Sequence, residues 1–504
     1  MIYLSAQPDQ TYFNWQLEIQ LRNFHALGIT KDQIQILASF KPERGLNPDF
    51  QTFIDKNSHL ANFYTYPDQR EKPKYTSSIR PNILKQHFEK YPELENETLF
   101  YHDSDILFSR IPQIQDVETN AICYVSDTRN YLDIDYIRRT GSVQLLADMA
   151  NIVGIPVDII ERNKQHTGGA QYILKGINVA FWEKVENDSE ALYTLMKEYN
   201  KKLWVKEYPD KKEYKSKKRG IQAWCADMWA VLWNLWLDNR KVEIHPEMDF
   251  SWPYSPIEEW DRKAIQHYSG NIKEKDKFFK KNEYLNYMPW YDDSLLSIPD
   301  TNCSYKIVEL IKSRKNDLDR ERPTFSDSCI VFDGRDFKDE MPGVFKIAKT
   351  YLQKHLDIAI YLLVDSEQQD NTNNMLLIEQ LLMQIQSYDY ALRIPLEYML
   401  DIKDIQHILS LDPKEHGTTF CPEEIYKVDS LFSETFSKVL DMDLLHLNKG
   451  KFNTKELDQM RCIHYVNLSQ DISERQRHVK DTIRNDIAEP YTNEAIPRVY
   501  SLTP

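Results

Sequence analysis

Apolar strands alternating with amphipathic helices predict a two-part α/β protein: a mixed, mainly parallel central sheet flanked by helices over residues 1–295, a linker over 296–325, and a second, smaller α/β domain over 326–504. Three observations predict it. The chain opens on the apolar run Met1–Ala6, continues through a helical pattern from Tyr12 to Phe24 that Gly28 closes, and returns to a strand at Ile34–Ala38. A βαβ start of this kind implies parallel strands with helices over the faces. The alternation restarts after the polar stretch Pro299–Arg322, with strands at Ser328–Asp333 and Ile358–Asp365 and a helix between them from Val344 to Leu356. Finally, 504 residues exceed what one hydrophobic core normally spans.

Composition narrows the classes. Hydrophobic residues at 41% and aromatic residues at 12% exclude general disorder. With 63 basic against 78 acidic residues the formal charge is −15, which disfavours nucleic acid as a partner. The six cysteines are scattered singly, without a CxxC pair or zinc-like spacing, and read as free thiols of a reducing compartment. No run approaches the roughly 18 apolar residues of a membrane span, and the start lacks a basic leader. The expectation is a cytoplasmic protein.

Taken in order, Ala6, Gln7 and Pro8 close the first strand, beyond whose carboxyl end ligands of parallel sheets bind. A nucleotide base fits there, as does an ordinary strand-to-helix turn. Ser77–Lys85 begins a helix with Ser and Pro, and Arg80 at its start suits a phosphate or a carboxylate partner. Leu99–Phe108 then carries Asp103 and Asp105, one residue apart, between apolar and aromatic flanks. Buried carboxylates need a countercharge, and hard oxygen ligands suit Mg2+ or Mn2+, ions that leave positions open for substrate phosphates. Gly168 and Gly169 let the backbone approach a ligand or a neighbouring strand, and Gln171 offers both a donor and an acceptor. The basic run from Lys201 to Arg219 reads as a solvated loop or as a cover for an anionic ligand. Asp227, on the Trp-rich helix Trp224–Trp236, is either paired to a buried partner or is an acid or base with a raised pKa. His267, at the end of Ala264–Gly270, faces the choice between a structural histidine and a third metal ligand.

The order and spacing of Tyr12–Gln16, Arg80-Pro81, His102–Phe108, Gly168–Tyr172 and Asp227-Met228 resemble the GT-A-type, metal-dependent glycosyltransferases over about residues 1–295. The nearer likeness is to the group of hydroxyproline O-arabinosyltransferases and peptidyl-serine galactosyltransferases, whose secretory anchor this chain is expected to lack. The resemblance implies that Asp103, Asp105 and His267 hold Mn2+ or Mg2+ against the diphosphate of a nucleotide sugar, a UDP-sugar first. It implies that Ala6, Gln7, Pro8, Arg80, Ser104, Gly168, Gly169 and Gln171 border the donor. Asp227 would be the catalytic carboxylate, as a general base with inversion or an orienting group with retention. The acceptor would be a glycan, a protein or another hydroxyl compound.

Two other readings remain at this level. One is an inactive, transferase-like binding or assembly protein. The other is a phosphate-ester hydrolase using the Asp-x-Asp pair, although Leu107 stands where that chemistry wants a small or β-branched hydroxyl residue. The second domain's role is open between acceptor recognition, a degenerate second transferase and interaction, and no internal repeat is apparent in the sequence.

Overall fold

The computed structural model describes residues 1–208, 220–270, 272–274, 276–285, 288–335, 345, 348–349, 351–353, 355–365, 375–396, 398–400, 402–411, 418–422, 425–427, 463–467, 492–496 and 499–501. The lysine-rich part of the basic run, Lys211 to Lys218, lies outside them. The chain divides into two compact units, the first made of 1–282 and 294–310 and the second of 283–293 and 311–504. Within the stretch expected as a linker, Ser304–Glu321 is a helix.

In the first unit the strands are β1 (Ile2–Pro8), β2 (Ile34–Phe40), β3 (Asn62–Pro67), β4 (Leu99–Tyr101), β5 (Ile106–Phe108), β6 (Cys123–Asp127), β7 (Gly168–Leu174), β8 (Val242–Ile244), β9 (Phe250–Ser251) and β10 (Ile265–His267). Seven form a sheet in the order β3-β2-β1-β4-β7-β6-β8, and β5-β10-β9 form a small second sheet. The first four strands of the large sheet run parallel. β7 opposes both β4 and β6, and β8 is parallel to β6.

Both faces of this sheet are apolar, which is why its strands read as continuous hydrophobic runs rather than alternating ones. Along β1, Tyr3 joins one core while Leu4 and Ala6 join the other; along β4, Phe100 faces the first while Leu99 and Tyr101 face the second. The helix Thr11–Ala26 covers the first face through Leu17, Leu21 and Phe24. Helices Ile79–Lys90, Val179–Glu207 and Ala226–Leu237 cover the other, with Trp182, Trp229 and Trp233 fully buried. No helix among the described residues is long and apolar enough to cross a membrane.

The second unit contains β11 (Thr324–Asp333), β12 (Asp357–Leu363), β13 (Met375–Leu376), β14 (Tyr390–Pro395), β15 (Tyr398–Met399), β16 (Thr418–Pro422), β17 (Ile425–Lys427), β18 (Ile463–Asn467), β19 (Thr492–Ile496) and β20 (Val499–Ser501). Its sheets are β13-β12-β11-β14-β18-β16-β19 and β15-β20-β17. The segment Cys462–Gln470 therefore contributes an internal strand of this sheet, β18, through Ile463–Asn467.

Candidate active site

Leu99–Phe108 is two strands in two sheets rather than one. β4 ends at Tyr101, and the chain turns through His102–Asp105 before β5 begins antiparallel to β10. The turn lies at the carboxyl end of a parallel strand, where such sheets hold ligands. Its backbone is tied on every side. The His102 N–H donates to the Leu4 carbonyl at 3.0 Å and the Tyr268 N–H to the Asp105 carbonyl at 3.1 Å. The Gln20 amide donates to the Asp103 carbonyl at 2.9 Å, and the Asp103 N–H donates to the Gln171 side-chain oxygen at 3.2 Å. The Ser104 hydroxyl donates to Gln16 at 3.1 Å.

That framework sets two carboxylates toward one histidine. His267 Nε2 lies 3.3 Å from Asp105 Oδ1 and 3.6 Å from Asp103 Oδ2, and one ligand atom from each of the three residues lies within 4.8 Å of the others. Octahedral Mg2+ or Mn2+ with ligands at roughly 2.1 Å sets neighbouring donor atoms roughly 3 Å apart, so the group fits a hard divalent ion. Trp252 stacks on the His267 ring at 5.8 Å and 20°, fixing its plane.

Two cations complete the charge balance. Arg80 Nη1 is 2.6 Å from Asp103 Oδ1 and 3.7 Å from Asp227 Oδ2. Lys281 pairs with Asp105. Burial alone would raise the Asp105 pKa, but the charges of Lys281 and His267 outweigh it and hold the carboxyl well below its usual range. Asp227 differs: burial dominates, only partly offset by Arg80, and its pKa is raised. The Tyr75 hydroxyl lies 2.7 Å from Asp227 Oδ1 and 2.5 Å from the Trp224 carbonyl. One phenolic proton facing two acceptors leaves room for a proton on Asp227, as a group that exchanges one requires.

These side chains open on a cleft of about 810 Å³ that Tyr12, Arg80, Asp103, Asp105, Ala170, Trp224, Tyr254, His267 and Lys281 help to line. A narrower recess of about 90 Å³ reaches Asp227 beside Arg80, Asp103 and Trp224. Other expected donor contacts lie elsewhere. Ala6 belongs to the core, and the buried Gln7 donates to the Leu37 carbonyl at 2.7 Å while accepting from Ser5. Pro8, half-buried, ends β1. Ser104 is buried against Gln16.

Gly168 and Gly169 are the first residues of β7, opposite Asp127 and Ser126. The reason is crowding: a Cβ on Gly168 would come within 2.4 Å of the Ser126 carbonyl, and one on Gly169 within 2.8 Å of the Met228 methyl. The left-handed backbone falls on Ala170, at φ +67°, which lines the cleft. Such strain in a non-glycine residue clusters at functional sites.

Sequence reading missed Gln16, Gln20, Tyr75 and Lys281. The first two carried a signal, since buried amides four apart on an otherwise apolar helical face need partners. Tyr75 and Lys281 sit in polar stretches that offered none.

No protein-family model matches the chain, and no curated protein matches it. Solved structures similar to it include the galactosyltransferase LgtC in complex with donor and acceptor sugar analogues, at 13% identity over 62% of this chain and 96% of that one, with a TM-score of 0.30. They also include the bifunctional glycosyltransferase WbbM, at 8% identity over 62% of this chain and 51% of that one, TM-score 0.33. Mouse xyloside xylosyltransferase 1 shares 10% identity over 54% of this chain and 97% of that one, TM-score 0.28. Likenesses this distant carry no functional weight; the site's geometry does.

Proposed function

We propose that the first unit is a GT-A-type glycosyltransferase that moves a sugar from a nucleotide-diphosphate sugar, a UDP-sugar first, to an acceptor hydroxyl. The observation that carries this reading is the convergence of Asp103, Asp105 and His267 on one point at the carboxyl end of a parallel sheet, in the same cleft as Arg80. Mn2+ or Mg2+ held by these three residues would supply a positive charge to offset the charge developing on the departing diphosphate. Arg80 and Lys281 offer further cationic contacts to the same phosphates. Gln16, Gln20 and Gln171 keep the Asp103–Asp105 turn rigid, so the carboxylates need little reorganisation to meet the ion. Asp227, with its raised pKa and its contact to Tyr75, takes the acceptor's proton if configuration inverts, or orients the donor sugar if it is retained.

A thermal-shift screen of UDP- and GDP-sugars with Mn2+ present tests the reading. A donor at about 100 times its dissociation constant adds roughly 2.7 kcal/mol of stability. Stabilisation by at least one donor, only with the metal, is the expected result. Phosphate-ester hydrolysis without nucleotide release would favour the hydrolase instead.

A further inference from the structure

We infer that the acceptor is a saccharide, held against two aromatic ledges of the cleft; this rests on the donor reading above. Trp224 is 61% exposed and Tyr254 49% exposed, both within the cleft that holds Asp103 and Asp105. Neither ring is loose. Trp224 stacks with Tyr131 at 6.5 Å and 27°, and its carbonyl is held by Tyr75, the residue that also reaches Asp227. Tyr254 stacks on Trp252 at 6.0 Å and 5°, and Trp252 stacks in turn on His267. Each exposed ring is thus backed by a second ring and tied to the reacting centre. Large apolar faces left open inside a polar cleft mark a binding surface. Fixed aromatic faces suit the C–H faces of a pyranose, and Thr140, Gln222, Ser269 and Asn282 in the same cleft suit its hydroxyls. That polar company disfavours a lipid chain.

The test uses the full chain, the donor found in the screen, and a panel of methyl glycosides and disaccharides as acceptors. Trp224→Ala and Tyr254→Ala should each raise the acceptor KM roughly tenfold and the donor KM by about twofold at most, with Trp224→Phe restoring most of the loss. Equal acceptor KM values in the parent and both alanine variants, or transfer only to a peptide or lipid acceptor, would overturn the proposal. Donor turnover absent from the parent protein would instead bring down the donor reading.

A separate observation concerns the second unit, and we propose that it is a copy of the first unit's fold that lost the metal site, leaving one such site per chain. The large sheets match strand for strand. β13, β12, β11 and β14 are parallel, β18 opposes β14 and β16, and β19 is parallel to β16, as β3, β2, β1, β4, β7, β6 and β8 are arranged in the first. The seven also follow one chain order in both units. In the small sheets β15 opposes β20 as β5 opposes β10. The third strand differs, because β17 follows β16 whereas β9 follows β8. Register aligns the rest: the Leu396 N–H donates to the Asp333 carbonyl at 2.9 Å, as the His102 N–H donates to Leu4 at 3.0 Å. Only Leu396 and Glu397 separate β14 from β15, where His102–Asp105 separate β4 from β5. Ser501 faces Tyr398, the first residue of β15, as His267 faces Ile106, the first of β5. The sequence joining the two strands thus holds one acidic residue where the first unit's holds two, and the register position of His267 is taken by Ser501.

Titration of the full chain with Mn2+ in the presence of UDP, followed by electron paramagnetic resonance, counts the sites. One site per chain is expected, lost in Asp103→Asn with Asp105→Asn. Two sites, or one that survives the double variant, would overturn the proposal while the donor reading stood; no site at all would overturn the donor reading.

Discussion

Between β4 and β5 the first unit's sequence has four residues, two of them aspartates, and His267 pairs with Ile106 in the small sheet; between β14 and β15 the second unit's has Leu396 and Glu397, and Ser501 pairs with Tyr398. The strand order of the large sheet is the same in both units, while the length of one connection and the residue at one register position differ. The cores below those turns differ as well. Leu4 and Leu99 are buried and apolar in the first unit. At the matching register positions the second has Asp333 and Arg393, 2.6 Å apart, with Arg335 on the same carboxylate at 2.8 Å. The second unit thus places its buried charges beneath the turn, where they pair with each other, and the first places them in the cleft, where they can meet a ligand.

Arg393→Met should have the largest effect on the second unit. Breaking a buried ion pair costs about 3–5 kcal/mol, and Arg335, which stays on Asp333, holds the loss toward the lower figure. Urea unfolding should show the second unit destabilised by that order, while Mn2+-dependent nucleotide binding by the first persists. Loss of that binding would show that the units are not separable in function.

Acid should separate them next. Burial pushes the His87 pKa down to about 4, with the ring between Tyr66 and Gln35 at 2.7 and 2.8 Å. The unfolded chain protonates this histidine near 6.5, before the folded one does, so stability is full above about pH 6.5 and falls as pH drops toward 4. This histidine's share of the loss is roughly 3 kcal/mol, and His87→Gln should remove that share while His102, pushed down to about 4 by burial as well, keeps its own. Burial works against ionisation of Asp333, but Arg335 and Arg393 hold its carboxyl well below the usual range, so the second unit's ion group passes through that window unchanged.

A smaller effect sharpens the role of the turn. Gln171 never lines the cleft in the way a donor contact would; it accepts from the Asp103 N–H. Gln171→Ala should weaken Mn2+ binding about tenfold, as loss of a group that orients a ligand does, with little change in unfolding midpoint.

How much of this was legible follows from what each residue had to satisfy. The first unit's strands and helices were readable because both sheet faces are apolar and the helices carry regular apolar spacing, as Tyr3–Ala6 and Trp229–Trp236 show. Asp103, Asp105 and His267 were readable because carboxylates in an apolar run need a countercharge. The break between β4 and β5 was not, since Ile106–Phe108 continues the apolar pattern into another sheet. Gly168 and Gly169 signalled close approach to a ligand or a neighbouring strand, and strand β6 lies against both. A degenerate second transferase was one of the readings open for the second domain, but no residue pattern singled it out, because matching positions hold unlike residues, Leu4 against Asp333 and His267 against Ser501.

Whether Asp103, Asp105 and His267 form a metal clamp for a sugar nucleotide is decided by release of nucleotide diphosphate from the donor found in the screen, with and without Mn2+, by the parent chain and by Asp103→Asn. An ion held there would offset several kcal/mol of developing charge, so release should fall by a factor on the order of 1,000 without Mn2+ and in the variant alike. Metal-independent release at the parent rate, or a variant as active as the parent with its fold intact, would contradict the account.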